Sequence, residues 1–133
     1  MGINKKLFTA GEAPLVPSEN FNTVLYTGNQ TARSITGFDF TPDLVWIKSR
    51  NETNLHVLTD SVRGTNKQLF SNQADAESTS TDRLTAFNAN GFSIAAGSSF
   101  YRVNKNSINY AAWSWKAGGS SNTFNKNGTG YST

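Results

Sequence analysis

The sequence predicts an all-β protein, an antiparallel β-sandwich of jelly-roll type that follows an extended N-terminal arm. Three observations carry this. The clear hydrophobic periodicity is two residues rather than 3.6. Asn, Ser, Thr and Gly make up 57 of the 133 residues, a composition of turns and strand surfaces rather than helices. Turn signals recur at short spacing, so eight to ten brief strands fit the chain. Nine Phe, four Tyr and three Trp must supply most of the core volume.

Residues 1–20 carry Gly2, Gly11, Pro14 and Pro17 without periodicity, which reads as an extended arm that needs a surface to lie on. Phe21–Thr27 is the first strand and stops at Gly28-Asn29. Ala32–Thr36 is expected to fold back on it as a hairpin. Asp43–Ser49 puts Leu44 and Trp46 on one side and Val45 and Ile47 on the other, so a strand apolar on both faces is expected in the middle of a sheet. Leu55–Thr59 follows the Asn51–Asn54 turn. Lys67–Phe70 precedes a polar excursion over residues 72–82, in which Ala74–Glu77 suits a helical turn or a loop equally. Leu84–Phe87, a turn at 88–91 and Phe92–Ile94 come next. The last strand, Ser107–Lys116, alternates Ile108, Tyr110 and Ala112 on one face with Ala111, Trp113 and Trp115 on the other. The sandwich thus spans 21–117. Residues 118–133, rich in Gly, Ser and Asn, have the composition of a tail or linker.

Composition also excludes functions. Zero Cys removes thiol nucleophiles, thiolate metal sites and disulfides, and a single His56 cannot build a multi-histidine metal centre. No apolar run approaches the roughly 18–20 residues of a membrane-spanning helix, and the start of the chain has no apolar signal-peptide centre, so it reads as unprocessed and not membrane-inserted. Twelve Lys and Arg against nine Asp and Glu are scattered, with no basic face for nucleic acid. Phosphate-binding glycine loops and zinc-hydrolase motifs are absent, and no cofactor is expected. The Asn-x-Thr matches at Asn29, Asn51 and Asn127 are read as chance in an Asn/Thr-rich chain.

Glycoside hydrolysis needs two carboxylates about 5–10 Å apart across a groove. Asp39 with Asp43, and Asp75 with Glu77, are the available pairs, and loop Asp residues more often cap turns. His56, Asp60 and Ser61 offer the residue types of a hydrolytic triad without the sharp elbow a Ser nucleophile requires. Asp82, Asn88 and Asn90 hold oxygens suited to calcium, but not in a calcium-loop spacing. Aromatic residues are the stronger candidates for ligand contact. Trp46 and Tyr110 are expected in the core, whereas Tyr101, Arg102, Trp113 and Trp115 are the candidate sugar-binding residues.

Five segments carry a resemblance to a family: Phe21–Gly28, Gly37–Arg50 with its PDLVWIK strand, Asp60–Gly64, Gly91–Ile94, and Tyr110–Gly119 with its AWSWKAGG strand. Over about 21–131 the chain resembles a domain of tailed bacteriophages, marine ones in particular, found in virion structural proteins of tail-fibre-like or concanavalin-like lectin type. The resemblance implies a concanavalin-like sandwich and a non-enzymatic virion protein, an appendage, fibre or head-decoration component. It implies location in the virion, with other capsid or tail proteins and further copies of itself as partners, and host-surface glycan as an added one. A free-standing glycan-binding module is the alternative, and a glycan hydrolase the third reading. In the first reading the arm lies across a neighbouring subunit, with Leu7, Phe8, Leu15 and Val16 as apolar anchors and Lys5 and Lys6 meeting an acidic shell. Deleting residues 1–19 is then expected to leave the sandwich folded but to prevent incorporation into particles. Thermal unfolding of the truncated protein and the protein content of purified particles check the two halves of that expectation.

Overall fold

Alternating burial along each strand organises the molecule. The computed structural model describes residues 16–97 and 103–117. Nine strands run through them: β1 Phe21–Thr27, β2 Arg33–Thr36, β3 Leu44–Ser49, β4 Val57–Asp60, β5 Lys67–Phe70, β6 Ser78–Thr79, β7 Leu84–Asn88, β8 Gly91–Ile94 and β9 Asn109–Trp115. They form a six-stranded sheet in the order β1-β9-β3-β4-β5-β6 and a three-stranded sheet in the order β2-β8-β7. Every pairing is antiparallel. Residues 74–77 form no helical turn.

Both sheets contribute to one core, a sandwich-like arrangement. Val45, Ile47, Val57 and Tyr110 of the large sheet pack in the same cluster as Ile35, Leu84, Phe92 and Ile94 of the small one. Phe38 and Phe40, on the connection between β2 and β3, complete it, with Phe38 at 6.0 Å from Phe92 between ring centroids. Phe92 is fully buried, which is worth on the order of 2–3 kcal/mol in removed apolar surface. β3 lies between β9 and β4, the interior position its two apolar faces require.

Two expectations are corrected. β1 and β2 do not form a hairpin. β1 pairs along all seven residues with β9, while β2 belongs to the other sheet and pairs with β8. The cause is visible at Gly28, whose N–H donates to the Ile108 carbonyl at 2.7 Å and whose carbonyl accepts the Ser107 N–H at 3.0 Å. A Cβ there would stand 2.1 Å from the Lys105 carbonyl oxygen. The residue that looks like a hairpin turn is instead where β1 closes against the approach to β9, and the chain then crosses between sheets. The predicted arm is also not extended to its end, since Pro17–Glu19 form a 3₁₀ turn packed on β1. Val16 precedes that turn and is exposed. The other arm residues, Lys5, Lys6, Leu7, Phe8 and Leu15, lie outside the described residues.

Two buried amides are fully engaged in hydrogen bonds. Asn104, fully buried, donates to the carbonyls of Thr31 at 2.8 Å and Ala95 at 2.9 Å and accepts the Asn29 N–H at 3.1 Å. Gln68, also fully buried, donates to the carbonyls of Thr65 at 3.1 Å and Ser80 at 3.3 Å and accepts from the Arg83 guanidinium, which lies 5.4 Å from the centre of the Phe70 ring. Gly91 is the tightest approach of backbone to backbone, because a Cβ there would come within 2.0 Å of the Ile35 carbonyl oxygen. Gly91→Ala must therefore part β8 from β2, and a loss of at least about 1–3 kcal/mol is expected. A lowered midpoint in denaturant-induced unfolding measures it.

Candidate functional site

The residues of the large sheet that do not face the core define its other surface. Alternation turns Tyr110, Ala112 and Ser114 inward and Ala111, Trp113 and Trp115 outward. Register then fixes their neighbours. Trp115 lies between Phe21 and Leu44, Trp113 between Thr23 and Trp46, and Ala111 between Leu25 and Lys48. Beyond β3, Leu44 pairs with Asp60 and Trp46 with Leu58, and Leu58 in turn with Leu69. The outcome is an outer face whose middle is aromatic and aliphatic over four adjacent strands, β9, β3, β4 and β5, with Thr23 of β1 beside them.

The rings on this face touch one another. Phe21 and Trp115 have centroids 5.0 Å apart at an interplanar angle of 43°, and Trp46 and Trp113 are 5.3 Å apart at 50°. His56 sits 6.1 Å from Trp46. Such tilted contacts suit the ring quadrupoles, but they give an interleaved surface and not one flat platform. Phe21 and Leu69 are each 41% exposed and Leu25 59%, so the margins of the face are more open than its centre, where both Trp46 and Trp113 are half-buried. The indole N–H of Trp46 is buried without a hydrogen-bond partner.

Charge stands at opposite ends of the strands. Asp60 lies at the Trp115 end of the face, where it accepts the Arg63 N–H at 2.8 Å and the Arg63 Nε at 2.6 Å. Arg63 continues to Glu77 at 3.3 Å, and Lys67 reaches Glu77 at 3.4 Å. Burial pushes the Asp60 carboxyl upward, but its hydrogen bonds from the Arg63 backbone and guanidinium outweigh that and hold it below the usual carboxylate range. At the other end stand Lys48 and His56. Desolvation, and then the nearby Lys48 ammonium, hold the imidazole below its ordinary pKa, so it is neutral at pH 7.

Tyr110 is 1% exposed and belongs to the core as expected, stacked on Tyr26 at 5.1 Å. Trp46, expected beside it, is on the outer face instead. The alternation of residues 44–49 shows two apolar sides, and only the second sheet decides that Val45 and Ile47 are the ones it covers. Trp113 and Trp115 share the outer face with Trp46, which sequence reasoning placed in the core, and with Phe21 and Leu58, which it did not single out. The pairing of a PDLVWIK strand with an AWSWKAGG strand held that information, since parity links Trp46 to Trp113 once the two strands are adjacent. Tyr101 and Arg102 lie outside the described residues.

His56, Asp60 and Ser61 do not come together as a triad, since His56 stands at the opposite end of β4 from Asp60. Ser61 donates to Asp43 Oδ1 at 2.9 Å, Asp60 is engaged by Arg63, and the His56 backbone N–H donates to Asn72 Oδ1 at 2.9 Å. Among the described residues no group of three or more His, Asp and Glu is placed to hold a metal ion. Asn88, a calcium candidate, donates instead to Ser93 Oγ at 2.9 Å.

Residues 16–133 match the family model described as "Domain of unknown function (DUF7483)", and the chain belongs to that family. No curated protein and no solved structure matches the chain.

Both shifted groups make the fold acid-sensitive, in separate windows. The folded state resists protonation of His56, whereas the unfolded chain accepts that proton near pH 6.5, so stability falls as pH drops below that value and levels off beneath the folded pKa. Asp60 adds stability above its unfolded pKa, about 3.8, which is lost as pH falls through the lower folded value. His56→Gln is expected to flatten the melting temperature between pH 7 and 5 and to leave the steeper loss below pH 4 in place. A pH series of thermal melts on both proteins reads this.

Proposed function

We propose that this member of the family is a non-enzymatic structural protein of a bacteriophage particle, a jelly-roll, concanavalin-like sandwich that works by surface burial rather than bond-making. The observation that supports it best is the outer face of the six-stranded sheet. Apolar surface of this extent on the outside of a sheet stabilises association when covered, by roughly 25 cal/mol per Å². The polar groups around it are held in structural hydrogen bonds and ion pairs. The crossed strand order, with β9 between β1 and β3 and β8 between β2 and β7, fits a jelly-roll reading. The resemblance of the PDLVWIK and AWSWKAGG strands to phage virion domains supplies the setting, with capsid or tail proteins as partners.

Trp113 and Trp115 on an outer sheet face also favour a second reading, a lectin-like module for host-surface glycan, in which pyranose rings stack on the indoles. The tilt between the rings weighs against a long flat saccharide. In that reading Trp115→Ala, with its thermal unfolding unchanged, abolishes binding on a glycan array.

Gold-tagged antibody against this chain, applied to intact particles of the phage that encodes it and viewed by electron microscopy, tests the first reading. Label over the shell identifies a decoration protein, and label confined to the tail identifies an adhesion or adaptor component. Particles without label overturn the virion reading.

A further inference from the structure

We infer that the outer face of the six-stranded sheet binds a second copy of this chain, as a two-fold dimer whose axis runs across the strands. The inference rests on reading that face as an assembly surface, and it names the partner. The face has three rows set by register. The first holds Phe21, Trp115, Leu44, Asp60 and, two residues before Leu69, Lys67, which is paired with Glu77; the second Thr23, Trp113, Trp46, Leu58 and Leu69; the third Leu25, Ala111, Lys48 and, one residue before Val57, His56.

An axis along the middle row lays the first row of one copy over the third row of the other. Trp115 then comes over Ala111, a large ring above the smallest side chain of the face, and Phe21 comes over Leu25. Asp60 comes over the neutral imidazole of His56, next to the Lys48 ammonium, so the carboxylate of one copy meets a cation of the other. Its bonds to Arg63 leave it acceptor capacity, since a carboxylate has about four lone-pair sites. An axis along the strands instead sets Asp60 over Phe21 and Trp115, a carboxylate against ring faces of like sign. Charge and shape therefore select one of the two isologous arrangements.

Size agrees. Five strands at about 4.8 Å spacing and three rows at about 6.8 Å make a face of roughly 400–500 Å². Two such faces bury on the order of 800–1,000 Å², at the low end of specific interfaces. The dimer is thus expected to be in exchange with monomer, which suits a unit whose assembly is completed on a particle.

Sedimentation velocity of the full chain over a range of concentrations reads the association, with Leu25→Glu and Leu58→Glu as face variants and Thr85→Glu as a control at an exposed residue of β7, on the other sheet. Concentration-dependent dimerisation weakened at least about tenfold by either face variant, and unchanged in the control, is the expected result. Thermal melts establish that each variant remains folded. The chain has no cysteine, so single cysteines locate the axis. Thr23→Cys and Leu69→Cys, on the row that meets itself, each join to their own counterpart through a short bis-maleimide, whereas Leu25→Cys does not. A monomer at every concentration, a dimer insensitive to both face variants, or self-joining at Leu25→Cys in place of Thr23→Cys overturns the inference. Antibody label on particles together with a monomeric chain refutes self-association alone. A dimer from a chain that particles do not carry refutes the virion reading alone.

Discussion

The pairing of β9 between β1 and β3 is the constraint on which the molecule depends. One strand of seven residues serves two surfaces, because successive side chains point to opposite sides of the sheet. Tyr110, Ala112 and Ser114 enter the core, and Ala111, Trp113 and Trp115 form the outer face. A slip of one residue would exchange the two sets, placing indoles in a core built around Ala112 and a tyrosine hydroxyl on the surface. Register with both neighbours prevents it, over seven pairs on one side and six on the other. The Tyr110 hydroxyl adds a further lock by accepting the Lys105 N–H at 3.1 Å, while the Tyr26 hydroxyl donates to the Val103 carbonyl at 2.6 Å. Burial and the neighbouring Tyr110 raise the Tyr26 pKa, despite the opposing charge of Arg33, so its proton stays in place as a donor.

The interior owes its connections to amides as much as to hydrocarbon. Asn104 joins its own segment to two others, the Asn29–Thr31 connection and Ala95, through one side chain. Gln68 of β5 ties the turn before its own strand, at Thr65, to the chain just after β6, at Ser80, and Arg83 completes its hydrogen bonding. Neither carries net charge, so the desolvation cost of bringing it inside is met by ordinary hydrogen bonds. Chemistry of this sort holds loops to sheets and performs no reaction. A chain without cysteine relies on it wherever a secreted protein of this size would use a disulfide.

The outer face of the large sheet follows from the two-layer arrangement, in which only one side of each sheet meets the core. Six strands face three, and the second side of the larger sheet is left to find its own cover. Aromatic rings in mutual contact limit the exposed area without removing it, which is why Trp46 and Trp113 are half-buried although they lie outside the core. Under the proposed assembly, such a surface gains free energy by exclusion of water from a partner's apolar area, and Asp60 at one end and Lys48 at the other orient that partner.

Much of this was legible in the chain itself. Period-two patterning, turn composition and the lack of cysteine determined an all-β protein with an aromatic core, and alternation in β9 assigned Trp113 and Trp115 to the face opposite Tyr110. These are local properties, carried by residues at most a few positions apart. Gly28-Asn29 reads as a hairpin turn for the same reason, since nothing nearby announces the Lys105 carbonyl that occupies the space a side chain would take. Nor does local pattern say which side of Leu44–Ser49 meets the second sheet, because both sides are apolar. Only tertiary structure decided that β1 pairs with β9, that β2 changes sheets, and that Trp46 joins Trp113 on the outside. These pairings join residues 55 to 94 positions apart, and their energies depend on contacts that exist only once the chain has closed.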